Sequence, residues 1–119
     1  MSSRFRRIVV AFDGSTQSEM ALDTAIDMSR EYAAHLTVLT VFQPPTVLVY
    51  GPAPVDPPPT EELEQQVRAV LNRATERARA RGADVAGEFR EGHPAEEILR
   101  FVEEELVDRL PGLVGLRSP

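Results

Sequence analysis

The feature that most constrains the fold is a pair of hydrophobic runs rich in β-branched residues: a continuous apolar run at positions 8–12 and a run at 36–42 whose only polar residues are Thr37 and Thr40. A run without alternating polar residues is typical of a strand buried on both faces, as in a parallel sheet. Between the runs, Thr16 and Glu19 have the spacing of a capping box, and the apolar residues that follow recur at helical intervals. The pattern predicts strand, helix (about residues 16–34) and strand, joined by a right-handed parallel crossover.

The second half of the chain repeats this pattern more weakly. Thr60 is placed to cap a long helix that ends near Gly82, and residues 84–90 alternate as in a strand. Pro94 suits the first position of a third helix. The predicted fold class is α/β, an open doubly wound parallel sheet. After Asp108 an arginine, a proline and a glycine follow closely, so no fourth strand is predicted.

The length of 119 residues fits one domain, which we predict over residues 1–108 with an irregular tail over 109–119. Seven of the ten prolines fall within residues 43–59. Because proline fixes φ and lacks a backbone donor, this segment is predicted to be a long loop inside the domain.

Composition excludes several classes of function. The net charge of −6 argues against a nucleic-acid partner, which needs a basic face. The chain has no cysteine, which fits a cytoplasmic protein, and the first apolar run stops at Asp13, too early for a signal sequence or a membrane span. His35 and His93 stand alone, without the spacing of metal ligands or a nucleophile–base pair. We therefore expect neither a metal site nor an enzyme.

The candidate binding site lies at the end of the first strand. In open parallel sheets, ligands bind at the carboxyl ends of the strands. Asp13 occupies that end, followed by Gly14 and a helix start, and its carboxylate suits a ribose hydroxyl or a base edge. Its alternative role is to cap the following helix. Val41 lies at the matching end of the second strand, where backbone groups are able to face a base.

Two motifs resemble the universal stress protein family: Ile-Val-Val-Ala-Phe-Asp-Gly-Ser at 8–15 and Gly-His-Pro-Ala-Glu-Glu-Ile at 92–98. The resemblance follows the family's order over about residues 4–108. It implies a sheet of five parallel strands, frequent dimerisation and, in one branch, ATP binding. Carried over by position, it implies that the adenine nucleotide contacts Ala11, Phe12, Asp13, Gly14, Ser15 and Val41.

The sequence departs from the family after the third helix. ATP-binding members continue with a fourth strand and a Gly-x2-Gly-x9-Gly-Ser/Thr loop, whose backbone amides hold the phosphates. Gly112 and Gly115 match only the first spacing, and we interpret them as coincidence. The chain is thus interpreted as a truncated or frameshifted member that lacks the last two family strands. ATP binding is expected to be weak or lost.

Two functions compete at this point. The first is a stress-response regulator of the ATP- or AMP-binding type with a degenerate phosphate site. The second is a protein–protein interaction module that binds no nucleotide, because without a fourth strand the first strand is an exposed apolar edge that recruits another chain. Either function implies a homo-oligomer, with a dimer expected. An enzyme of the adenylating or ATP-pyrophosphatase type is disfavoured, since residues 13–18 lack the Ser-Gly-Gly-x-Asp-Ser loop.

Overall fold

A computed structural model describes residues 6–44 and 60–109, with the side chains of the last helix described to residue 106. It confirms the α/β class: three strands form one parallel sheet in the order β1-β2-β3, and a helix follows each strand. The elements are β1 Arg7–Ala11, α1 Thr16–Glu31, β2 His35–Phe42, α2 Thr60–Ala80, β3 Asp84–Glu91 and α3 Pro94–Arg109. The predicted loop and tail fall largely outside the described residues.

The main hydrophobic core lies between the sheet and the helices α1 and α2. In the strands, alternate side chains such as Val10 and Val38 point into it, and the two residues are register partners. In α1, apolar residues recur every three or four positions, so that Leu22 and Ile26 lose all their solvent exposure. The two hydrophobic runs of the sequence thus form neighbouring strands of one sheet that is covered by helices.

Helix α3 covers the opposite face of the sheet. Successive side chains of a strand point to opposite faces, so Arg7 points away from the core that contains Val10. The guanidinium of Arg7 donates to Glu105 of α3 at 3.0 Å. Two strands thus form ion pairs with α3, through Arg7 on β1 and Arg90 on β3. Helices on both faces make the sheet doubly wound, as predicted.

One helix boundary differs from the sequence prediction. Helix α1 ends at Glu31 rather than near Ala34, because Ala33 adopts the left-handed conformation (φ +53°) that turns the chain into β2. Helix α3 is described as far as Arg109, and the predicted domain boundary at residue 108 stays a prediction.

Arg90 is the main anchor of α3. Its guanidinium donates to both carboxylate oxygens of Glu104, at 2.6 and 3.2 Å, and to Glu88 at 2.9 Å. It also lies 5.3 Å from the ring centroid of Phe101. Only 18% of the side chain is exposed, and the hydrogen bonds that Arg90 donates to Glu104 and Glu88 raise its pKa despite its burial. A permanent charge surrounded by carboxylates therefore fixes the helix to the sheet.

We expect Arg90→Met to lower the free energy of unfolding by about 2–3 kcal/mol, because it leaves partly buried carboxylates without their cation. Arg77→Met is the matched control: Arg77 is 40% exposed and pairs with Glu19 and Asp23 on the protein surface. Its loss should cost about 1 kcal/mol or less. Urea unfolding of the three proteins measures both values, and equal losses would contradict the anchoring role of Arg90.

Candidate functional site

A pocket of about 530 Å³ opens at the carboxyl ends of β1 and β2. The start of α1 forms one wall and the start of α3 the other. Its volume lies within the range of small-molecule sites. The pocket is lined by Ala11, Phe12, Asp13, Ser15, Gln17, Ser18, Ala21, Leu39, Val41, Pro94 and Ile98.

Five of the six residues that sequence reasoning assigned to the site line this one pocket. The sixth, Gly14, does not. Gly14 has φ +85°, and a Cβ atom built on it would lie 3.5 Å from Val70 of α2, on the other side of the turn. Its role is to turn the chain from β1 into α1, because this φ favours glycine. Contact between the other five residues and a ligand stays a prediction.

Asp13 shapes the turn at the mouth of the pocket. One of its carboxylate oxygens, Oδ1, accepts a hydrogen bond from the backbone N–H of Ser15 at 2.9 Å. Hydrogen bonds from the side chain and backbone of Ser15, and from the side chain of Ser18, hold the pKa of Asp13 below its usual value, against a small opposing effect of burial. The carboxylate is therefore an exposed, ionised acceptor at neutral pH. Asp13 also has the alternative role that the sequence left open, because its hydrogen bond to Ser15 helps to shape the start of α1.

The N-cap of α1 is Ser15, which corrects the capping box predicted at Thr16. The Ser15 side chain accepts from the N–H of Ser18 at 3.2 Å, and Ser15 has the extended backbone of a cap residue. The hydrogen bond from the backbone N–H of Ser15 to Asp13 places the N-cap at Ser15, one residue before Thr16. Glu19, the other member of the predicted box, pairs instead with Arg77 of α2 at 2.6 Å.

Val41 offers backbone groups to the pocket. The N–H of Phe12 donates to the carbonyl of Leu39 at 2.8 Å, which shows that the backbone groups of Leu39 point towards β1. Those of Val41 point the same way, since the direction repeats every second residue. The hydroxyl of Thr40 donates to the carbonyl of Phe12 at 2.9 Å, and the hydrogen-bond ladder between β1 and β2 ends at this residue. The backbone of Val41 therefore lies past the end of β1, facing the space where a ligand edge would sit.

The walls of the pocket include residues that sequence reasoning missed. Pro94 and Ile98 come from the first turns of α3, and Gln17 and Ala21 from α1. A signal was present for the first pair: β3 runs parallel to β1 and β2, so it also ends at the carboxyl edge of the sheet, where α3 begins. The described lining is mainly apolar, and Asp13 is its one ionisable side chain.

Two wider searches cover the part of the chain that the structure describes. Across residues 6–44 and 60–109, no group of three or more His, Asp or Glu side chains is placed to hold a metal ion. None of the helices described there has the length and apolar character needed to cross a membrane.

Known proteins are similar to this chain in fold and in sequence. A sequence model described as the universal stress protein family matches residues 4–110. The universal stress protein YxiE of Bacillus subtilis is 31% identical over 121 residues, which is 96% of this chain and 80% of that protein. A crystal structure of a universal stress protein family member from Burkholderia pseudomallei has a TM-score of 0.68 at 26% identity, covering 87% of this chain and 77% of that one. A universal stress protein in complex with cAMP has a TM-score of 0.59 at 27% identity, covering 83% of this chain and 64% of that one.

We expect Asp13→Asn to lower the free energy of unfolding at pH 7 by about 0.3–1 kcal/mol, because the ionised carboxylate lies at the N-terminus of α1. A carboxyl group whose pKa is lowered by folding stabilises above its unfolded value, which is 3.8, and loses that contribution as pH falls through the folded value. The difference between wild type and variant should therefore persist down to about pH 4 and diminish at lower pH. Urea unfolding between pH 3 and 7 measures it, and a difference independent of pH would contradict the electrostatic role.

Proposed function

This chain belongs to the universal stress protein family, and from that premise we propose that it is a cytoplasmic, non-enzymatic stress-response regulator that binds an adenine nucleotide in the pocket between α1 and α3. One observation carries the proposal. At the carboxyl ends of two parallel strands, the ionised carboxylate of Asp13, the backbone of Val41 and apolar side chains line the same pocket. A similar universal stress protein in complex with cAMP supports an adenine nucleotide as the ligand class.

The pocket suits the adenine and ribose parts of such a ligand. The flat base packs between apolar side chains such as Ala11 and Ile98, and its polar edge meets the backbone of Val41. Asp13 accepts hydrogen bonds from the ribose hydroxyls, because an ionised carboxylate is an acceptor only. Charge-assisted hydrogen bonds of this kind contribute about 1.5–3 kcal/mol each.

The same pocket is poorly suited to phosphates. Among its described lining residues there is no arginine, lysine or histidine, and the one charge, on Asp13, repels an anion. We therefore propose recognition centred on the nucleoside, with little further affinity from the phosphate chain. Catalysis needs a second group to accept or donate a proton, and the described lining supplies none beside Asp13.

A second candidate function is an oligomerising interaction module that binds no nucleotide. The observation in its favour is an apolar stripe on α3 in which Leu99, Val102 and Leu106 are 65%, 37% and 52% exposed. Large apolar side chains that cluster on one surface mark protein–protein contacts.

Calorimetric titration of the nucleotide-stripped protein with adenosine, AMP and ATP tests the choice. We expect binding in which ATP is no tighter than adenosine, and Asp13→Ala should weaken all three ligands about tenfold or more. Asp27→Ala is the matched control, because Asp27 is an aspartate of α1 that pairs with Arg81 of α2, outside the pocket. No binding of any ligand at millimolar concentration would contradict the nucleotide proposal and leave the interaction module.

A further inference from the structure

A second groove runs between α2 and β3. Its volume is about 550 Å³, and it shares no lining residue with the candidate nucleotide pocket. On the strand side it is formed by Gly87 and Phe89. On the helix side, its exposed polar side chains are those of Arg68, Asn72, Glu76 and Arg79. The proposed nucleotide function does not use this groove, so its polar groups need a separate explanation.

The floor of the groove includes exposed backbone at Gly87, in the middle of β3. A Cβ atom built on this residue would approach Cγ2 of Thr75 to 3.0 Å, so α2 packs too closely here for a side chain. The N–H of Gly92 donates to the carbonyl of Phe42 at 2.9 Å, and the direction of the backbone groups alternates along a strand. The N–H and C=O groups of Gly87 and Phe89 therefore point away from β2. Glycine inside a strand often marks a place where another backbone approaches closely.

The wall of the groove is a row of polar side chains on one face of α2. Arg68, Asn72, Glu76 and Arg79 are four, four and three positions apart, so they lie above one another along the helix. The two arginines stand at the ends of the row, about 16 Å apart along the helix axis. The carboxylate of Glu76 lies between them. The wall thus presents two positive ends and one negative charge between them.

Both terminal arginines have capacity for a further partner. The guanidinium of Arg68 lies 3.9 Å from the ring centroid of Phe89, and its Nε donates to Glu64 at 3.0 Å, yet 53% of the side chain stays exposed. Arg79 is exposed and has no ion-pair partner among the residues that the structure describes. A guanidinium has five N–H donors, so both side chains keep donors for an anion in the groove.

We propose that this groove binds an extended segment of another protein, which lies beside β3 and carries an acidic side chain at each end. Main-chain hydrogen bonds to the strand and alternate side chains facing the helix are the means by which such segments are recognised. In an extended chain, residues i and i+4 lie about 13 Å apart on one face, and the long side chains of Arg68 and Arg79 cover the remaining distance. Residue i+2 then faces Glu76, where a basic side chain fits. The recognised pattern is acidic, any, basic, any, acidic, which reads the same in both strand directions.

The charges of the groove disfavour other occupants. A small anion reaches only one of the two arginines, because they are about 16 Å apart. A polyanion such as nucleic acid meets the carboxylate of Glu76 between them, on a chain of net charge −6. A second copy of this chain does not supply the segment, since no basic residue in the sequence has acidic residues both two positions before it and two positions after it. The occupant is therefore a segment of a different protein.

Binding of a synthetic peptide tests the charge pattern. The probe is a fluorescent peptide with blocked ends and the sequence Thr-Glu-Val-Lys-Val-Glu-Thr. Its control is Thr-Lys-Val-Glu-Val-Lys-Thr, in which every charge is exchanged. Titration with the full chain, followed by fluorescence anisotropy, should show that the probe binds about tenfold more tightly than the control. Equal affinities, or no binding of the probe at about millimolar protein, would overturn the proposal.

Substitutions on α2 test the two arginines. Arg68→Gln and Arg79→Gln should each weaken the probe about threefold to tenfold, through loss of a charge-assisted contact. Arg73→Gln is the matched control and should leave the affinity unchanged, because Arg73 is an exposed arginine of the same helix that lines a different pocket, beside Gly14. Circular dichroism checks that each variant is folded. An unchanged affinity in both groove variants, or an equal loss in Arg73→Gln, would contradict the assignment.

Charge exchange provides a readout that a merely structural role would not change. Arg79→Glu should weaken the probe and strengthen one of the two peptides in which a single glutamate is replaced by lysine, because only one end of the peptide faces this position. Failure of both peptides to bind Arg79→Glu more tightly than wild type would contradict the contact.

Peptide N-methylation tests the added strand without altering the protein. Only alternate N–H groups of an added strand face β3. Methylation of one alternate set of peptide amides should therefore abolish binding, and methylation of the other set should preserve it. Equal effects of the two sets would exclude strand addition.

Competition distinguishes the extended segment from a small anion. Free glutamate and inorganic phosphate each reach a single arginine, so neither should displace the probe at millimolar concentration. Displacement by either would show that the groove is a site for small anions and would overturn the proposal.

Discussion

The parallel pairing of β1 with β2 is the constraint on which the rest of this structure depends. Its register places Ala11 beside Leu39, so both strands end at one edge of the sheet. The turn containing Asp13 follows at once, and α1 must then return along the sheet to begin β2 in the same direction. A pocket at that edge is a geometric consequence of this topology, and the side chains only decide what the pocket can hold.

The ion cluster around Arg90 joins the second half of the pocket to this frame. Glu97 is buried within α3, where it accepts a hydrogen bond from Arg100 and lies 3.8 Å from Arg90. Its side chain also packs against Gly92, at which a Cβ would approach it to 3.1 Å. Charge pairing and a close backbone approach thus set where α3 begins. The position of Ile98, which lines the pocket one residue later, follows from them.

The sequence by itself determined the elements, their parallel connection and the place of Asp13, because these depend on local spacing and on the handedness of crossovers. It also indicated five residues that come together in the pocket. The tertiary structure decided that Gly14 faces α2 and that Ile98 forms a wall of the pocket. It also brought Arg90 into contact with Glu104, which lies 14 positions later in the sequence. Such partners are distant in sequence, and only the packing of α2 and α3 on the two faces of the sheet brings them within reach.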